Sequence, residues 1–220
     1  MVERSESLAR YALNLPNVFQ HLRNSGDDVW TRVIERARMG LGDDVRNFRI
    51  SPSGRGSIEL EVVFGSAPDN PLPVEYLSEG QIAYLAFLAL VELHQSRSLL
   101  TFDEPEMHLH PALLTRVVGL LEEAAEHAPV VVATHSDRLL DVLTDPVASV
   151  VLCDLDDHRA MRLRRPNAEK LAEWLEDYRG FGSIRAEGYQ AHIFDSPADE
   201  EKRRRYVPRS GATARASIGS

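Results

Sequence analysis

Two adjacent carboxylates, Asp103 and Glu104, close the apolar run Leu99-Leu100-Thr101-Phe102, and a second apolar run from Val130 to Ala133 is followed by Thr134 and His135. Carboxylates at a strand end can hold a hard cation or accept a proton, and an imidazole can donate a hydrogen bond to an anionic oxygen or a water. Upstream, Leu77-Ser78-Glu79-Gly80-Gln81 opens a long apolar stretch. Ser78 followed three residues later by Gln81 fits a capping box: the hydroxyl accepts a free amide of the first helical turn and the Gln side chain reaches back to the cap. A helix therefore starts at Ser78. Its free amides and positive dipole end lie beside small Gly80, a setting that suits a phosphate oxygen.

The elements that must position these groups follow an α/β rhythm. Helix 79–94, apolar on most sides, leads to strand 98–102, a helix from Pro111 to about Glu126, strand Val130 to Ala133, a short helix from Ser136 to Leu143 and a strand from Val147 to Leu152. Continuous apolar strands alternating with helices imply a parallel sheet covered on both faces, with Asp103-Glu104 and Thr134-His135 just past the carboxyl ends of two strands, where such sheets bind ligands.

Ahead of this core, residues 1–44 read as helical. Leu8, Tyr11, Ala12 and Leu15 recur at helical spacing before Pro16, and Val29, Trp30, Val33, Ile34 and Ala37 do so before Gly40. Residues 45–75 change period: Phe48 and Ile50, then Ile58, Leu60, Val62 and Phe64, alternate with polar residues around a turn at Ser51-Pro52-Ser53-Gly54. That predicts an antiparallel hairpin followed by a surface loop from Gly65 to Pro73. After Cys153, a turn at Asp154-Leu155-Asp156-Asp157 precedes a short strand at Met161 to Leu163 and a helix from Asn167 to Tyr178, and residues 196–220 read as a disordered tail.

Four ordered motifs carry a resemblance. Ser78-Glu79-Gly80-Gln81, the strand into Asp103-Glu104-Pro105, the following Glu106-Met107-His108-Leu109-His110-Pro111, and Ala133-Thr134-His135-Ser136 resemble the signature, Walker B, D-loop and switch-histidine motifs of the ABC-type ATPases. They are most similar to the soluble AAA-domain branch related to the SMC, RecF and OLD proteins. The resemblance implies a P-loop-NTPase-like parallel sheet flanked by helices, with an antiparallel hairpin and helical lobe, and a core spanning 76–195. It implies that ATP and Mg²⁺ are the cofactors and that Asp103 holds the metal. Glu104 would then be the general base, His135 would sense the γ-phosphate, and Ser78, Gly80 and Gln81 would meet a nucleotide held mainly by the other protomer of a head-to-tail dimer. DNA repair, chromosome handling or antiphage defence, with DNA as a partner, is what the family's coupling implies.

One part of the pattern is missing. A P-loop, Gly-x-x-x-x-Gly-Lys-Ser/Thr, wraps phosphates with backbone amides and neutralises them with a lysine. The two lysines here, Lys170 and Lys202, both lie outside any glycine loop, and Gly54-Arg55-Gly56 carries none. The Walker A strand and the other amino-terminal strands of the family would lie before residue 1. The chain alone is accordingly expected to be inactive, its sheet left with an unpaired edge and an uncovered apolar face, and the cradle supplied by missing sequence or a P-loop-bearing partner chain.

Other readings of the same letters stay open. Asp103, Glu106, His108 and His110 could ligate a metal in a hydrolase, because alternate residues of an extended segment face one way. A degenerate fold could serve as a non-catalytic interaction module. Asp154, Asp156 and Asp157 are similar to the paired aspartates of a Toprim nuclease, although a hairpin turn accounts for them.

Composition narrows the setting. With 34 acidic against 25 basic side chains the formal charge is −9, which disfavours broad binding to nucleic acid or an anionic membrane. A single cysteine, Cys153, admits no intramolecular disulfide and fits a reducing cytoplasm. No apolar run approaches the roughly 20 residues of a membrane span.

Overall fold

The computed structural model describes residues 7–54, 57–93, 98–107, 109–156 and 158–194. It is a mixed α/β chain in two compact units, residues 1–143 and 144–220, and this division runs through the 76–195 segment.

The first unit opens with a 3-10 turn, Arg10–Ala12, then helices α1 (Leu15–Ser25) and α2 (Asp27–Leu41). The sequence reading ended a helix before Pro16; the structure starts one there. Proline has no N–H to donate, and in the first turn of a helix none is required, so Pro16 fits where an interior proline would not. Gly26, at φ 148°, separates the two helices. Strands β1 (Val45–Pro52) and β2 (Ile58–Phe64) form the expected antiparallel hairpin. The Gly65 to Pro73 segment is not entirely loop, because β3 (Leu72–Pro73) adds a short third strand against Glu61 and Val62. Two residues are too few to leave a period in the sequence.

Helix α3 (Glu79–Glu92) begins at Ser78 with both halves of the capping box in place. It leads through β4 (Leu100–Asp103), α4 (Pro111–Ala125), β5 (Val130–Ala133) and α5 (Asp137–Asp141). Strands β4 and β5 pair in parallel, Leu100 with Val130 through Asp103 with Ala133. Leu100, Phe102, Val130 and Val132 face the main core, where the Phe87 and Phe102 rings lie 5.4 Å apart. Of the two expectations, a sheet covered on both faces and one with an uncovered face, the second describes this strand pair. Thr101, Asp103 and Ala133 are exposed and Val131 is 54 % exposed, so the opposite face of this strand pair is open.

The main core joins α1, α2, the hairpin, α3 and α4. Phe19, Trp30 and Phe48 meet edge to face, with Phe19 and Phe48 4.9 Å apart. Tyr84 is fully buried in α3, and its hydroxyl donates to the Arg36 carbonyl of α2 at 2.7 Å. A Cβ on Gly40 would stand 2.2 Å from Cδ1 of that ring, so the absence of a side chain at 40 is what lets α2 approach α3. Charge also crosses this core: Arg36 bonds Glu92 of α3 and Glu123 of α4, and Arg32 reaches Glu92 at 3.4 Å.

In the second unit, the expected strand from Val147 to Leu152 is corrected to helix α6 (Pro146–Ser149) followed by β6 (Leu152–Leu155). The cause is local. Asp145 accepts the amide of Ala148 and caps a helix that Pro146 initiates, so the apolar letters begin a helical turn before they extend. Strand β6 pairs antiparallel with β7 (Met161–Arg164) rather than extending a parallel sheet. Asp156 accepts the amides of His158 and Ala160 at 2.8 Å and Asp154 pairs with Arg164 at 2.7 Å, which is the hairpin-turn reading of these aspartates; Asp157 lies outside the described residues. Helices α7 (Ala168–Leu175) and α8 (Phe181–Ala186) and a 3-10 turn, Tyr189–Ile193, complete the unit around Leu171, Ile184 and Ile193. The tail expected at 196–220 lies outside the described residues. Among the described residues no helix is long and apolar enough to cross a membrane.

Candidate functional site

The two strands of the parallel pair end side by side, and the groups singled out in the sequence emerge from those ends. Asp103 is the last residue of β4 and lies on the open face, in register with Ala133. Glu104 follows, and its amide donates to the Ala133 carbonyl at 2.8 Å, extending the ladder by one bond. Its φ is 44°, a left-handed backbone that costs a residue with a side chain roughly 1–2 kcal/mol. That turn takes the chain sharply out of the strand. It leaves the Glu104 carboxylate 4.0 Å from Nε2 of His135, with the imidazole 89 % and the carboxylate 39 % exposed. The separation exceeds a hydrogen bond. Both groups are open to solvent and can address the same small polar molecule.

Past the strand ends the two loops are tied. Thr134 donates its hydroxyl to Oε1 of Glu106, and the Thr134 oxygen in turn accepts the amide of Ser136 at 2.9 Å. Glu106 Oε2 is shielded from solvent and has no hydrogen-bond partner among the described residues. The turn that carries Glu106 is held by its own backbone, Met107 N–H donating to the Glu104 carbonyl and Leu109 N–H to that of Glu106. Glu106 and Thr134 are 28 positions apart, so no spacing rule could pair them. The signal was that each falls within one of the ordered motifs, Glu106 in the D-loop segment and Thr134 beside His135.

Ser78 and Gln81 form the amino end of α3. Ser78 N–H donates to Gln81 Oε1 at 3.0 Å and Gln81 N–H to Ser78 Oγ at 3.3 Å. Ser78 is exposed and Gly80 half-buried, so this tip is at the surface, while Tyr84 one turn further on is buried.

The metal-ligand reading of Asp103, Glu106, His108 and His110 is not supported by this arrangement. Glu106 is engaged by Thr134, and His110 caps α4 by accepting the Ala112 amide on Nδ1 at 3.3 Å. His108 lies outside the described residues, and among those described no three His, Cys, Asp or Glu side chains form a group able to hold a metal.

Comparison with known proteins places the matched stretch on these same elements. Residues 42–141 match the family model described as "AAA domain, putative AbiEii toxin, Type IV TA system". The match bears out the resemblance to ABC/AAA-type ATPases over the part of the chain that carries the four motifs. Protein ea59 of Escherichia phage lambda is 33 % identical over 96 residues, 43 % of this chain and 18 % of that protein. The chain thus matches less than a fifth of that relative's length. Among solved structures, an Smc head bound to the C-winged helix domain of ScpA is 16 % identical, covering 78 % of this chain and 54 % of that one at a TM-score of 0.48. The SMC head domain from Thermotoga maritima is 12 % identical, covering 68 % and 51 % at a TM-score of 0.46.

Proposed function

We propose that the AAA-domain stretch of this chain supplies the closing half of an ATP-hydrolysing site, with the phosphate cradle contributed by other polypeptide. The observation that carries this is the approach of Glu104 and His135, from the ends of two different strands, to 4.0 Å, with Asp103 closing β4 immediately before Glu104. A carboxylate at a strand end, exposed and backed by a second one, is a donor set that suits a hard divalent cation. Asp103 would hold Mg²⁺, which when bound offsets charge on phosphate oxygens.

The chain's own residues have distinct tasks in this reading. Glu104 orients a water and accepts its proton as the water oxygen bonds the γ-phosphorus and the bond to the β-phosphate oxygen breaks, releasing ADP, and His135 donates a hydrogen bond to a γ-phosphate oxygen. The tip of α3, where the Ser78–Gln81 capping box leaves the Gly80 N–H beside it, would meet a nucleotide held by a second molecule, as in a head-to-tail dimer. Two features support a completing polypeptide. The sequence lacks a Gly-x-x-x-x-Gly-Lys-Ser/Thr loop, and the strand pair leaves Val131 54 % exposed where parallel sheets are ordinarily covered. The coupling of such a site to DNA repair, chromosome handling or antiphage defence, and to DNA itself, rests on the resemblance alone.

The test compares the chain by itself with the chain co-expressed with a P-loop-bearing polypeptide. Alone it neither binds ATP tightly nor turns it over; in the assembly hydrolysis appears and Glu104→Gln lowers kcat by about 10²–10⁴-fold. Mg²⁺-dependent hydrolysis by the chain alone, abolished by Glu104→Gln, overturns the need for an outside cradle. An active assembly indifferent to Glu104→Gln overturns the site.

A further inference from the structure

We infer that Glu106 is the positioning residue of this site, fixing the His135 loop against the Glu104 turn through Thr134. The inference rests on the reading of Glu104 and His135 as a working pair. Among the described residues the backbone ladder between the two strands ends at the Glu104 N–H on the Ala133 carbonyl. His135 lies beyond it. What spans the gap is a directed chain: Ser136 N–H donates to Thr134 Oγ1, and Thr134 O–H donates to Glu106 Oε1. The direction is forced. An amide can only donate, so the Thr134 oxygen accepts there and its one proton goes to the carboxylate, the stronger acceptor.

His135 is thereby bracketed by residues on both sides that are referred to one carboxylate. That carboxylate stands on a turn closed by the amides of Met107 and Leu109, two residues past Glu104. The distance between base and imidazole is therefore set from a common base. A glutamate serving only solubility would keep both oxygens in water, whereas Glu106 Oε2 is shielded and lacks a partner among the described residues. Shielding a carboxylate oxygen this way is costly, and the Thr134 bond is what the position gains in return.

The experiment is solution NMR on the full chain without nucleotide, following His135 ring resonances and exchange of the Ser136 amide. Thr134→Val should speed Ser136 exchange by about fivefold, the worth of one ordinary hydrogen bond. Both Thr134→Val and Glu106→Ala should move the His135 ring signals, while buried amides such as Leu85 and Leu88 keep wild-type protection. Thr134→Ser and Glu106→Gln retain the hydroxyl and the acceptor oxygen and should restore the wild-type spectrum. His135 ring signals unchanged in Glu106→Ala overturn the inference, and this variant decides the matter if Thr134→Val does not fold. The readout needs no hydrolysis. An assembly with no ATPase activity would sink the function proposed above and leave this result intact, whereas an unmoved His135 beside an active assembly would sink the positioning role only.

Discussion

The helical lobe and the strand pair, both within residues 1–143, are built on opposite principles. In the lobe, α2, α3 and α4 bury Tyr84, bring Gly40 against its ring and even shield charge, Arg36 and Glu92 being 9 % and 6 % exposed. At the ends of β4 and β5, Glu104 sits at a left-handed φ and His135 projects into solvent. The lobe holds position and offers no chemistry except at its Ser78 tip. The strand ends offer chemistry and hold their geometry with few bonds.

The largest expected effect breaks the lobe's side of the contrast. Arg36→Met leaves the shielded carboxylate of Glu92 without its main partner and should cost about 3–5 kcal/mol in urea unfolding, while the double variant Arg36→Met, Glu92→Met should recover most of it. A single-variant loss under about 1 kcal/mol would mean that the lobe does not depend on this charge pair.

A second prediction concerns pH. Burial pushes the Tyr84 phenol up from 10.0 to about 12. The folded state keeps the proton when the unfolded chain would release it, so this contribution to stability is full below pH 10 and is lost as pH rises towards about 12. The loss is on the order of 2 kcal/mol. Denaturant midpoints measured across that window should fall for the wild type and fall less for Tyr84→Phe.

The smallest effect sharpens the other side. Glu104→Gly relieves the left-handed backbone and should raise stability by up to about 1 kcal/mol in urea unfolding, reduced by glycine's extra freedom in the unfolded chain. A destabilised Glu104→Gly would show that the strand end is held by the glutamate side chain and not strained by its presence.

The contrast also explains what was legible in the sequence. Ser78 and Gln81 were readable because a capping box is local, and β1–β2 and Val130–Ala133 because side-chain period is printed in consecutive letters. The placement of Asp103 and Glu104 at a strand end followed in the same way, and β4 differed only in running Leu100–Asp103. The misreadings arose where one residue type has two uses. Pro16 and Pro146 begin helices, although proline in mid-pattern ends them. The link from Glu106 to Thr134 was illegible because a tertiary hydrogen bond leaves no periodicity, and the Arg36 network joins residues 56 and 87 positions apart for the same reason.

The seating of Tyr84 on Gly40 has a mechanical consequence. With the ring filling the place of a side chain at 40 and its hydroxyl fastened to Arg36, α2 and α3 cannot slide past each other. A load placed on either helix would therefore be shared by the other, so that the two respond as one stiff element.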